Sequence, residues 1–203
     1  MSTRSKKTSA SGKRKWLNLF AVLAIALTVA VLANMALIYF FSTESKEESG
    51  DRSSGIVQIV VYILYPNYDD LFWIDQMRIM DSTHRLVRKL AHFSEFGLLG
   101  FLSAWLVSYV NRRKHWFKTW PEWVIPAAFC LLYAISDEVH QIFSNRGPRV
   151  TDVLIDFSGA VCGILLIRGM IALFSRMRKG KRDKTKPKKH RRRKDPCETP
   201  DTN

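Results

Sequence analysis

The sequence predicts an all-α integral membrane protein with four transmembrane helices, a polar cluster in the outer leaflet and short interfacial segments. Three observations carry this. Apolar runs long enough to cross a hydrocarbon core of about 30 Å, roughly 20 residues at 1.5 Å rise, recur along the chain. The net charge of +14 is blocked rather than dispersed: six lysines and arginines lie between Arg4 and Lys15, four between Arg112 and Lys118, and thirteen between Arg176 and Lys194. If four helices alternate in direction, every one of those basic blocks falls on the same side, as the positive-inside tendency requires. Mean hydropathy near zero is therefore misleading, because it sums very apolar segments and a very basic tail.

Taken in order, residues 1–15 are Ser/Lys-rich and expected to form a disordered cytoplasmic arm. Trp16 to Phe41 is apolar except for Asn18, Thr28 and Asn34, and reads as helix 1 with its amino terminus inside. A cleaved signal peptide is the alternative, although such h-regions run only about 7–15 residues. Residues 42–83 are the least legible. A polar linker, FSTESKEESGDRSSG, precedes IVQIVVYILY, which is too short to cross a bilayer and is followed by Pro66-Asn67. The next piece mixes Leu71, Phe72, Trp73, Ile74, Met77 and Ile79 with acids and one arginine. Surface-lying helices, a re-entrant element and a loop covering the helix ends all stay open here.

Asp81-Ser82-Thr83 can cap a helix beginning near His84, whose apolar part, about 90–110, is helix 2. The block NRRKHWFK then returns the chain to the cytoplasmic side. Thr119 to Glu122 has capping-box spacing with Pro121 in the first turn, so helix 3 takes about 121–143. Trp116, Trp120 and Trp123 fit an aromatic belt beside it. SNRGPR breaks the chain, and helix 4 takes about 151–174. Residues 175–203 carry thirteen basic residues against four acids and read as a disordered, cytoplasmic polybasic tail. Its KKHRRRK patch has a nucleic-acid-binding look, but beside membrane spans it is expected to meet anionic lipid headgroups, with no nucleic-acid partner. Cys130 and Cys162 lie in apolar segments and Cys197 in the tail, with no CxxC, so the thiols of the spans read as small hydrophobes.

Ionisable groups are costly in a bilayer and rare there without partners or a task, yet three predicted helices carry them. Counted from the inner helix ends at 1.5 Å per residue, Glu95 and Asp137 lie about 24–25 Å up, and His92 and Asp156 about 28 Å. All four thus share one layer near the outer face. The spacings also define faces. His84, Arg88, His92 and Glu95 form one stripe of helix 2. Asp137 and Gln141 share a face of helix 3 with His140 flanking, and Asp152, Asp156, Gly159 and Gly163 line helix 4. Gly159 and Gly163 form a GxxxG pair that lets another helix approach beneath the carboxylates. Gly97 and Gly100 are small residues just below Glu95. Glu95, Asp137, Glu138, Asp152 and Asp156 face Arg88, Lys89, Arg146, Arg149 and the histidines, a near-balanced set of charges.

Chemical motifs are sparse. HEXXH is absent and His92-x-x-Glu95 stands alone, so no metal and no cofactor is assigned. Glu95, Asp137 and Glu138 are the candidates for acid/base catalysis, but no serine or cysteine nucleophile motif accompanies them. Ser94, Ser136 and Ser158 read as packing residues bonded to their own backbone. A proton relay through Glu95, His92 and Asp137 is physically allowed, and a homo-oligomer stays open.

RKLAHFSEFGLLGFL (Arg88–Leu102) and DEVHQIFSNRGPRVTDVLIDFSGAVCG (Asp137–Gly163) together resemble the VanZ-like family of small bacterial membrane proteins. The serine-rich stretch after helix 1 is similar too, and the likeness spans about Leu32 to Leu173. On the family pattern Lys89, His92 and Glu95 match K-x-x-H-x-x-E, and Asp137, Glu138 and Gln141 match D-E-x-x-Q. Arg146, Asp152, Gly159 and Gly163 match the R…D…G-x-x-x-G element. Asp156 departs from it, since the family often has asparagine there. The resemblance implies a multi-pass protein of the bacterial cytoplasmic membrane, both termini cytoplasmic, in a cell-envelope family linked to teicoplanin-type antibiotic resistance.

The expected function is therefore that of a non-enzymatic envelope factor. Its outward-facing pocket of Lys89, His92, Glu95, Asp137, Glu138, Gln141, Arg146, Asp152 and Asp156 would bind a lipid-linked or glycopeptide ligand. Two alternatives stand beside it: a network that only holds helices in register, and an intramembrane enzyme acting on a lipid-linked phosphate or glycan.

Overall fold

Every apolar run becomes helix. The structure, a computed structural model, describes residues 3–43, 46–114, 121–143 and 150–184, and among these there is no strand. The helices are α1 (Thr3–Thr43), α2 (Lys46–Leu64), α3 (Trp73–Lys114), α4 (Pro121–Phe143) and α5 (Val150–Lys184), with a 3-10 turn at Tyr68–Asp70. Met1–Gly169 forms one compact unit and Met170–Asn203 a second; in the latter, Leu173, Phe174 and Met177 of α5 are exposed. α1 begins at Thr3 and α5 ends at Lys184, so both helices enter stretches that composition reads as disordered arms. Once an apolar segment has nucleated a helix, each added residue needs only one further hydrogen bond, and Ser and Lys are tolerated in it.

Three stretches are long and apolar enough to cross a membrane: Asn18–Thr43, Trp73–Arg112 and Val150–Lys179. Three of the four expected spans therefore meet this measure, and α4 falls short of it. It has Glu122 at one end and Asp137, Glu138, His140 and Gln141 at the other, with Pro126 inside, so its uninterrupted apolar length is short. Less than a third of each of the three apolar spans is buried within the fold. Leu19, Val22, Ile25, Val29 and Leu32 on α1 and Leu165 and Leu166 on α5 all face outward. So continuous an apolar surface points to a membrane-embedded protein.

α3 organises the rest. Its 42 residues span roughly 63 Å at 1.5 Å rise, about twice a hydrocarbon core. The apolar half is the one expected as helix 2. The other half carries Asp75, Arg78, Asp81, Arg85 and Arg88 and is continuous with it, so the helix starts at Trp73 rather than near His84. The expected cap does not form because its hydroxyls turn back into the helix. Ser82 Oγ and Thr83 Oγ1 donate to the Ile79 carbonyl at 2.9 and 2.8 Å.

The segment that sequence leaves open is a helical hairpin of α2 against this half of α3. Ser53, Val57 and Val61, spaced i, i+4 and i+8, give α2 one inward stripe. Val57 and Val61 are fully buried, and Ser53 Oγ lies 3.2 Å from His84 Nδ1. Gln76 ties the turn: its Nε2 donates to the carbonyls of Tyr68 and Leu71, both at 3.1 Å, and its own carbonyl accepts from Tyr68 OH at 3.2 Å.

α1 packs on α3 and α4 through Leu27, Val31, Asn34, Ile38 and Ser42, all buried on one stripe. The core joins Val31 and Ile38 to Phe96 and Leu99 of α3, Cys130 and Ala134 of α4, and Ala160 of α5. α5 meets α3 through the predicted small residues. A Cβ built at Gly159 would meet the Phe93 carbonyl oxygen, one at Gly100 that of Ala160, and one at Gly163 that of Gly97, each well inside van der Waals contact. These are backbone-to-backbone approaches, and only glycine permits them.

Candidate functional site

Above this backbone contact, three helices place their ionisable side chains at one end of the fold. α3 brings Lys89, His92 and Glu95, α4 brings Asp137, Glu138 and Gln141, and α5 brings Asp152 and Asp156. The Gly159–Phe93 approach sets the register, because Phe93 adjoins His92 and Gly159 lies one turn from Asp156. Burial is graded. Asp137, Glu138, Gln141 and Asp156 are buried and His92 is half-buried, whereas Lys89 and Asp152 at the rim are partly exposed.

The contacts sort the members. Lys89 Nζ lies 3.6 Å from Asp152 Oδ1 and forms the rim ion pair. Gln141 Nε2 donates to Asp137 Oδ2 at 3.0 Å, one helical turn apart. His92, Asp137 and Asp156 each present one ligand-type atom, and these atoms all lie within 4.8 Å of one another. Asp156 is only 4% exposed, and among the described residues it has no hydrogen bond or ion pair.

Not every residue of the predicted stripes joins this cluster. His84 is held by Ser53 of α2, and the His140 ring packs 4.8 Å from Tyr39 of α1. Arg146 and Arg149 lie outside the described residues, as do the Asn145–Pro148 turn, Trp116, Trp120 and Cys197. Ser94 and Ser158 donate to the carbonyls of Ala91 and Ile155, both at 2.7 Å, which occupies their hydroxyl protons.

Sequence reasoning missed two supports. Asn34 Nδ2 donates to the Glu95 carbonyl at 3.2 Å, and Tyr133 OH donates to the Met35 carbonyl at 2.7 Å, fastening α1 to α3 and α4 beside the cluster. Asn34, an asparagine well inside the apolar run, was the available signal. At the opposite end of the helices, Arg168 Nη1 pairs with Glu122 Oε2 at 3.3 Å, its guanidinium lies 4.1 Å over the Trp123 ring, and Asn111 donates to the same carboxylate. Glu122 thus serves an interhelical clamp, a role its capping-box position conceals.

A family model described as VanZ/LLP1 matches residues 22–174, which covers most of each apolar span and every member of the cluster. No match is found among curated proteins. None is found among solved structures either.

Proposed function

From the premise that this chain belongs to the VanZ/LLP1 family, we propose that it is a polytopic protein of the bacterial cytoplasmic membrane that recognises a polar surface ligand through its clustered charges. In this reading α4 is the fourth span, screened by α1 and α3, and both termini are cytoplasmic. The charge-blocked basic segments support that orientation. The cluster then opens toward the outer face and takes the headgroup of a lipid-linked or glycopeptide ligand. Through it the protein contributes to teicoplanin-type resistance without turning its ligand over.

The observation that carries this reading is convergence with graded exposure. Lys89, His92, Asp137, Gln141, Asp152 and Asp156 come from three helices, and their exposure rises from Asp156 toward the Lys89–Asp152 pair. A network needed only to hold helices in register would be covered throughout, because an exposed ion pair adds little stability.

The test is the lipoglycopeptide susceptibility of a strain lacking the protein, complemented with wild type or Glu138→Gln. Loss of the resistance phenotype at unchanged abundance and topology is expected. A variant that only lowers abundance would leave the cluster structural. Turnover of a lipid-linked substrate by purified protein, lost in Glu95→Gln, would establish the enzymatic alternative instead.

A further inference from the structure

We propose that His92, Asp137 and Asp156 form a binding site for one divalent transition-metal ion. The inference goes beyond ligand recognition and stands whether or not the cluster binds a headgroup. No spacing motif announces the site, because each ligand comes from a different helix.

Geometry is the first support. An ion held at about 2.0–2.2 Å by imidazole nitrogen and carboxylate oxygen separates its ligand atoms by roughly 3–4.3 Å in tetrahedral or octahedral arrangements. The three ligand atoms here already lie within 4.8 Å of one another, so small side-chain rotations bring them onto a common centre. The backbone beneath is fixed by the Gly159–Phe93 and Gly163–Gly97 approaches, and helices so anchored hold their ligands in place.

The second support is Asp156 itself. The residue is only 4% exposed, presents a carboxylate oxygen to the cluster, and has neither hydrogen bond nor ion pair among the described residues. A buried carboxylate is retained where something compensates it. Lys89 is paired at the rim with Asp152 at 3.6 Å. A divalent cation at the triad would compensate the carboxylates of Asp137 and Asp156 together.

The third support is orientation. Gln141 Nε2 donates to Asp137 Oδ2 at 3.0 Å and so fixes the rotation of that carboxylate, as outer residues do when they aim metal ligands. One imidazole with two carboxylates suits Zn²⁺ or Mn²⁺, whereas Mg²⁺ and Ca²⁺ favour oxygen-only sets, and Zn²⁺ is the tighter of the first two.

The experiment uses the full chain in detergent, stripped with chelator and then equilibrated with Zn²⁺, Mn²⁺ or Mg²⁺. Bound metal is counted by elemental analysis, and Co²⁺ substitution is followed by visible absorption. A Cys197→Ser, His190→Ala background removes the strongest ligands of the tail. The expected result is about one Zn²⁺ per chain, Mn²⁺ bound more weakly, and at least tenfold loss of affinity in Asp156→Asn and in His92→Gln. Asp156→Asn is nearly isosteric and should melt no lower than metal-free wild type, so its loss of metal cannot be assigned to unfolding; His92→Gln gives the same readout from another helix. Absence of a stoichiometric ion in the wild type, or unchanged affinity in both variants, overturns the proposal.

Discussion

Replacing Gly163 by alanine tests how far the architecture depends on backbone contact between α3 and α5. The new Cβ would meet the Gly97 carbonyl oxygen and approach the Phe101 nitrogen to 2.9 Å. Both obstacles are backbone, so no side chain can rotate away, and the helices must separate along the interface that sets the His92–Asp156 register. Overpacking of a close-packed site costs about 1–3 kcal/mol, while alanine regains up to about 1 kcal/mol of helix propensity. The net expectation is a loss of about 1–2 kcal/mol. Gly169→Ala is the internal control: nothing lies within 4 Å of its Cβ, so only the propensity gain of about 0.5–1 kcal/mol remains. The assay is denaturant or thermal unfolding of both variants in the same detergent, read by tryptophan fluorescence. If Gly163→Ala unfolds at or above wild type, as Gly169→Ala should, the close approach is not what holds α3 to α5.

Arg168→Ala should destabilise by about 2–3 kcal/mol, because it leaves a largely buried Glu122 without its cation and removes the contact with Trp123. The double variant with Glu122→Gln should be milder than the two single losses added, which a double-mutant cycle measures. Gln76→Ala removes the hydrogen bonds that close the α2–α3 turn, so limited proteolysis should cut near residues 65–72 faster than in wild type, with the apolar halves of α1 and α3 still protected. Lys89→Gln breaks an ion pair whose members are 43% and 34% exposed; stability should fall by less than about 1 kcal/mol, while the resistance phenotype of the proposed function should be lost.

Some of the site was legible in one dimension. Rare polar residues in apolar runs stand out by type, and helix rise alone puts His92, Glu95, Asp137 and Asp156 in one layer. The small residues of α3 and α5 announced a close crossing, and the structure supplies the pair, with Gly97 and Gly100 against Gly159, Ala160 and Gly163. What one dimension could not give is rotation about each helix axis. His84 and His92 share a predicted stripe, yet one faces α2 and the other the carboxylates. His140 flanks Asp137 in sequence and instead meets Tyr39. The hairpin of residues 46–89 was hidden for a different reason: each of its apolar pieces is short, and its stability comes from the mutual burial of Val57 and Val61 against α3 rather than from either piece alone.

By itself, then, the sequence determined that this chain is helical, where its apolar spans run, and how far along each span the charged groups fall, since those properties depend on local period, composition and a fixed rise per residue. Tertiary structure alone decided that α3 is twice as long as its apolar half and that Asn34 reaches the Glu95 carbonyl. It also decided that His92, Asp137 and Asp156 converge from three helices. Those are consequences of which neighbour each helix meets and in what rotation. Close packing of small residues at the α3–α5 crossing fixes that choice, and no periodicity along a single helix records it.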